Sequence, residues 1–315
     1  MGLAVGSPPH LDASVAVTER PRRTRSARDD DSNRRPLVLA WLALVVFGRL
    51  YTVLLCDIPG RVFGLEGLCY TWLHDIPTYL WFEILVYGPL GWFALHQIKT
   101  DVFRSPAESG PVDSAHRRRE LAATAAIAMW LYGVGIHAAD LVEVLSRERA
   151  GITEGAVYDL VYFLDEGLSH YVQFLSLFFA LGLFVMFDRP VRSEGRALAL
   201  FLGVSHGIER ALGIIEGEKW FLGPAVLVWM SVAGWTRWRR CGRVAFEEFF
   251  FRYAVAFLVA LPATQALYYA RFGDFTPPSE LGDGPYAQLA AGAVALAVLA
   301  TAALHGLDHR RRRGL

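Results

Sequence analysis

Three histidines and a set of carboxylates stand inside apolar stretches where a lipid-facing helix would carry neither. Asp159, Glu166, His170 and Gln173 follow one another at spacings of seven, four and three residues. At ~100° per residue they form one helical stripe, with Tyr162 and Ser169 at its edges. Asp165 points roughly 100° away from Glu166, toward a different neighbour. His137 and Asp140 are three apart, with Glu143 beyond them; His206 and Glu209 are also three apart, followed by Arg210. Glu83 lies between Tyr79 and Tyr87, one turn from each. Ionisable groups inside a membrane are costly, and by default they mark a functional site.

The chemistry these types suit is metal chemistry. His, Asp and Glu are the ligands of Zn, Fe and Mn, and pairs three or four apart on one helix place two ligands on one side. His137, His170 and His206 are expected to form a three-imidazole shell for a divalent metal, Zn or Fe, with Asp140 and Glu209 as further ligands. An open fourth position would bring the pKa of a bound water to about 7. Glu166 is the expected base or fourth ligand, Asp165 a second carboxylate in the reaction, and Arg210 the partner of an anionic substrate group. That set predicts a membrane-embedded metal-dependent enzyme, a hydrolase acting on a lipid or other amphiphile. The chain has no His-Glu-x-x-His and no Glu-x-x-His, so the expectation rests on ligand type and spacing.

Three alternatives stand beside it. A non-haem iron oxidoreductase would use the same carboxylate-rich shell. A proton- or cation-coupled transporter would use Asp159, Glu166, His170 and Glu209 as a charge relay. A structural membrane subunit would use the polar groups to bind helices together. Transporters often show inverted repeats and broken helices, and neither is evident in the sequence.

The elements that must position these residues are membrane helices. Apolar residues make up 54% of the chain, and the mean hydropathy is +0.31. Eight stretches reach the length that a ~30 Å hydrocarbon core requires, near 37–56, 76–97, 120–145, 156–187, 197–216, 219–236, 245–270 and 285–307. The expected fold is an all-α polytopic integral membrane bundle of about eight transmembrane helices. Counted from the outer ends, Glu83, His137, Asp165, Glu166, His206 and Glu209 share a level ~9–15 Å deep, with His170 one turn deeper. Pro262 is expected to kink the seventh span.

Orientation follows from the loops. The formal net charge is zero, yet roughly 23 Lys and Arg fall in alternate loops and tails against roughly 5 in the others. Both termini are therefore expected in the cytoplasm, in a cell inner (plasma) membrane. Residues 1–36 read as a disordered basic tail, 37–309 as the membrane domain and 310–315 as a second basic tail. The lipid bilayer is the expected partner, and no nucleic acid is expected. Cys56 and Cys69 fall on the outer side, where either a disulfide or two free thiols fit; Cys241 is cytoplasmic. Trp235 and Trp238 suit an inner interfacial belt. Glu247, Glu248 and Arg252 pair locally or reach for the interface, and Arg49 is placed to meet Glu83 or Asp140.

Overall fold

The structure is a computed structural model. It describes residues 81–103, 114–188, 196–217 and 221–278 continuously. It also describes 38, 40–46, 72–73, 76–77, 219, 281, 292, 295–303 and 305–306. The expectations for the tails at 1–36 and 310–315, and for Arg49, Cys56, Cys69 and Tyr79, lie outside the described residues.

The described chain is almost wholly helical. Apart from a two-residue antiparallel pair, β1 (Trp72–Leu73) and β2 (Ile76–Pro77), every extended element is a helix. In order these are α1 (Gly88–Phe103), α2 (Ser114–His137), α3 (Ala139–Ala150), α4 (Ala156–Tyr162), α5 (His170–Phe187), α6 (Arg196–Glu216), α7 (Leu222–Cys241) and α8 (Phe249–Phe272). Backbone polar groups that cannot reach water must pair within their own segment, and a helix does this locally.

Among the described residues, four stretches are long and apolar enough to cross a membrane: Ser114–Arg147, Ala156–Phe187, Ala197–Glu216 and Phe249–Phe272. They correspond to the expected spans at 120–145, 156–187, 197–216 and 245–270. The expected span 76–97 departs from its prediction. Ile76 and Pro77 sit in β2, and the described helix runs over 81–103, through a π-helical turn, Glu83–Tyr87, into α1; it is not among the four. α7 is short of charge-free length, because Arg237, Arg239 and Arg240 occupy its last turns and leave 222–236, ~22 Å. Of the expected span 37–56 only 38 and 40–46 are described, and of 285–307 the described residues are 292, 295–303 and 305–306.

Packing centres on α5, whose buried face includes Phe174, Leu177, Phe178, Leu181 and Phe184. It lies against α2 on one side and α7 on the other, while α6 and α8 form the most extensive pair in the fold. Small residues explain that closeness. A Cβ added at Gly203 would come 2.4 Å from the Tyr253 carbonyl oxygen, and one at Gly207 would come 2.7 Å from the Ala260 Cβ. Gly-Val-Ser-His-Gly over 203–207 is thus a small-x-x-x-small face that brings two helix backbones together. Gly133 does the same for α2 and α5, where an added Cβ would meet Gln173 Cγ at 2.8 Å. Large apolar side chains on the outer faces, such as Leu121, Met129, Val228 and Val259, are exposed. This is the surface a membrane-embedded helix offers to acyl chains. Pro262 lies inside α8, where it removes one N–H from the helical ladder.

Candidate functional site

Three departures from α-helical geometry meet at one place. A π-helical turn, Glu83–Tyr87, precedes α1, and the Gly88 amide reaches back five residues to the Glu83 carbonyl. A second π-helical turn, Phe163–Ser169, joins α4 to α5. Between α2 and α3 the helix breaks at Ala138, whose amide bonds the Gly135 carbonyl in a tight turn. π-helical turns are rare and concentrate at functional sites. Here they carry or adjoin Glu83, Asp165, Glu166 and His137. The sequence signal was present but unread: Gly88-Pro89 follows the first turn, Gly167 sits in the second, and Gly133 and Gly135 precede the break.

His137 is the hub. Its Nδ1 is hydrogen-bonded to Asp165 Oδ1, and its Nε2 faces Glu83 Oε1 at 3.6 Å. Both carboxylates are buried, Glu83 at 4% exposure and Asp165 at 3%. The His170 ring lies 5.1 Å from the His137 ring, centroid to centroid. His170 Nδ1 is 3.1 Å from the Glu166 carbonyl and 3.4 Å from its carboxylate. Asp140 shares the field of Asp165, His137, Glu83 and Glu143. Glu143 accepts hydrogen bonds from Tyr158 Oη at 2.6 Å and Arg147 at 3.0 Å. Glu166, whose side chain is 37% exposed, lies in the electrostatic field of Asp165, His137, Lys219 and Glu216.

The π-helical turn explains how neighbours in sequence divide the work. Asp165 turns inward to His137 while Glu166 turns toward the surface, as their ~100° offset predicts. Gln173, one helical step below His170, is buried and donates to the Gly133 carbonyl at 3.2 Å, which fixes α5 against α2. Asp159 is exposed and lies off this cluster.

His206 does not join the other two imidazoles. It is fully buried between α6 and α8, stacked on Phe178, with Nδ1 hydrogen-bonded to Tyr253 Oη. Arg210 Nε–H donates to His206 Nε2 at 3.0 Å. Nε2 is therefore the bare nitrogen, and Nδ1–H donates to the tyrosine. Arg210 also holds Glu209 Oε2 at 2.8 Å and lies over the Phe174 ring. The arginine expected to meet a substrate anion is thus engaged within a buried His206–Arg210–Glu209–Tyr253 network. Tyr253 had not been singled out in the sequence. The shared level predicted for six ionisable groups resolves into two separate networks.

This arrangement does not fit a three-imidazole metal shell. Both nitrogens of His206 are taken, and both nitrogens of His137 are turned to carboxylates. Among the described residues no group of three or more His, Cys, Asp or Glu side chains is disposed to hold a metal ion. Ahead of α8, Glu248, expected to pair with its neighbours or reach for the interface, instead holds Arg237 of α7 through two bonds of 2.5 and 2.6 Å, with both residues buried. No family model, no curated protein and no solved structure matches the chain.

Proposed function

We propose that this chain is a membrane protein that passes protons, or couples a solute to them, through the carboxylate–imidazole relay Glu83–His137–Asp165. The observation that carries the reading is His137, whose two ring nitrogens each face a different buried carboxylate. An imidazole so placed can accept a proton at Nε2 from the Glu83 side and release the Nδ1 proton to Asp165. His170, one ring away, and the half-exposed Glu166 continue the line to the surface. The broken and widened helices at the site support a transport role, since irregular backbone within a membrane is tolerated where it lines a cavity or pathway. We further propose the finer topology: about eight spans in the plasma membrane, both termini cytoplasmic, and the relay in the outer half. The Arg-rich loops support that orientation.

The test is proton flux into liposomes carrying the purified protein and a trapped pH dye, driven by an imposed potential. The parent protein conducts, and Glu83→Gln or His137→Asn lowers the rate by a factor of about 10²–10⁴. A parent protein without flux, or variants that conduct as it does, overturns the relay.

A metal-dependent enzyme acting on an amphiphile is the second reading. The His137 and His170 rings, 5.1 Å apart beside Asp165 and Glu166, favour it by donor type alone. It predicts near-stoichiometric Zn or Fe that is lost in His170→Ala; the relay predicts flux that survives chelation.

A further inference from the structure

The end of α7 carries a second feature that the relay does not use. α7 stops at Cys241, and Gly242, with φ +56°, turns the chain into a short 3₁₀ segment, Gly242–Glu247. The second half of α7, this turn and the first half of α8 line an open groove of about 500 Å³. Its size falls within the ~300–1,000 Å³ of small-molecule sites. Trp235, Trp238, Phe246 and Phe251 line it together with Arg243. The two tryptophan rings lie 4.9 Å apart, as do the two phenylalanine rings.

Charge and surroundings narrow the occupant. Arg243 is exposed and makes no hydrogen bond or ion pair among the described residues. The acid nearest by sequence in the buried layer, Glu248, is already held by Arg237. Arg239 and Arg240 on the last turn of α7 are exposed and add to the positive field. Val228 and Val232 on α7 and Val259 on α8 are exposed, an apolar surface of the kind a helix offers to acyl chains. Paired tryptophans beside a cluster of arginines mark the membrane boundary, and arginines there attract anionic headgroups.

We infer that this groove binds an anionic phospholipid, with an acyl chain along the aromatic floor and the phosphate on Arg243. The inference rests on membrane embedding and is independent of the relay, because proton flux reads one and lipid retention reads the other. Gly234 lines the groove, and a Cβ added there meets nothing within 4 Å, so a side chain can be introduced without a clash.

The experiment uses the full chain in detergent, with bound lipid counted by native mass spectrometry and affinity read from thermal shifts on adding phosphatidylglycerol or phosphatidylcholine. The parent chain retains phosphatidylglycerol in preference to phosphatidylcholine. Arg243→Gln weakens phosphatidylglycerol about fivefold and leaves phosphatidylcholine unchanged. Gly234→Leu fills the groove and lowers retention of both. A parent chain that does not discriminate between the two lipids overturns the inference. So do variants that retain lipid as the parent does, or displacement of the lipid by inorganic phosphate alone.

Discussion

Replacing Gly203 by alanine tests how the α6–α8 pair is held. The added Cβ would stand 2.4 Å from the Tyr253 carbonyl oxygen and 2.8 Å from the Ala256 Cβ, whereas ordinary contact begins at 3.4 Å. The obstacle at 2.4 Å is backbone, which no rotamer change relieves, so the helices must part by about 1 Å (3.4 against 2.4 Å). Forced backbone shifts of this kind cost ~1–3 kcal/mol. The His206–Tyr253 hydrogen bond crosses the same interface, and stretching it loses a further ~0.6–1.7 kcal/mol. Alanine offsets part of this through a helix propensity better than that of glycine by ~0.8–1.0 kcal/mol. The net expectation is a loss of ~1–4 kcal/mol. Gly234→Ala is the control, because its Cβ enters open space and gains the same propensity without the clash. The two variants should differ by ~2–5 kcal/mol in unfolding by dodecyl sulfate in mixed micelles, followed by tryptophan fluorescence. A difference below ~0.5 kcal/mol, the scatter of inert surface changes, refutes the claim that Gly203 sets the helix spacing.

The Arg237–Glu248 pair gives an independent stability test. Glu248→Gln leaves the arginine buried without its charge partner and should cost ~3–5 kcal/mol in the same unfolding assay, while Arg237→Met with Glu248→Leu recovers most of it. His206→Phe should keep the proton flux of the parent while lowering stability, since His206 belongs to the Tyr253 network and not to the relay. Flux lost in His206→Phe at unchanged stability would place that imidazole on the proton path.

Much of the site could be read along single helices, and little of it between them. Spacing and depth singled out Glu83, His137, Asp165 and His170, though toward a metal site, and the ~100° offset sent Asp165 to a neighbouring helix, where it meets His137. Counting depth from loop ends went further than it should. It placed His206 with His137 because both lie equally deep, but depth says nothing about rotation. α6 turns His206 toward Tyr253 on α8, where Gly203 and Gly207 let that helix approach closely. The π-helical turns escaped notice because backbone irregularity is settled by tertiary packing; the nearby glycines and Pro89 only permit it. The expected span 219–236 counted three residues that precede α7, which leaves 222–236, ~22 Å, ahead of its closing arginines.

The most direct test of the relay is ¹⁵N magnetic resonance of imidazole-labelled protein in bilayers. Asp165→Asn should displace the Nδ1 resonance of His137, and Glu83→Gln its Nε2 resonance. Both substitutions should leave His206 unmoved, with a protonated Nδ1 and a bare Nε2. A His137 ring whose two resonances ignore both substitutions would contradict the account, because no carboxylate would then stand at either nitrogen.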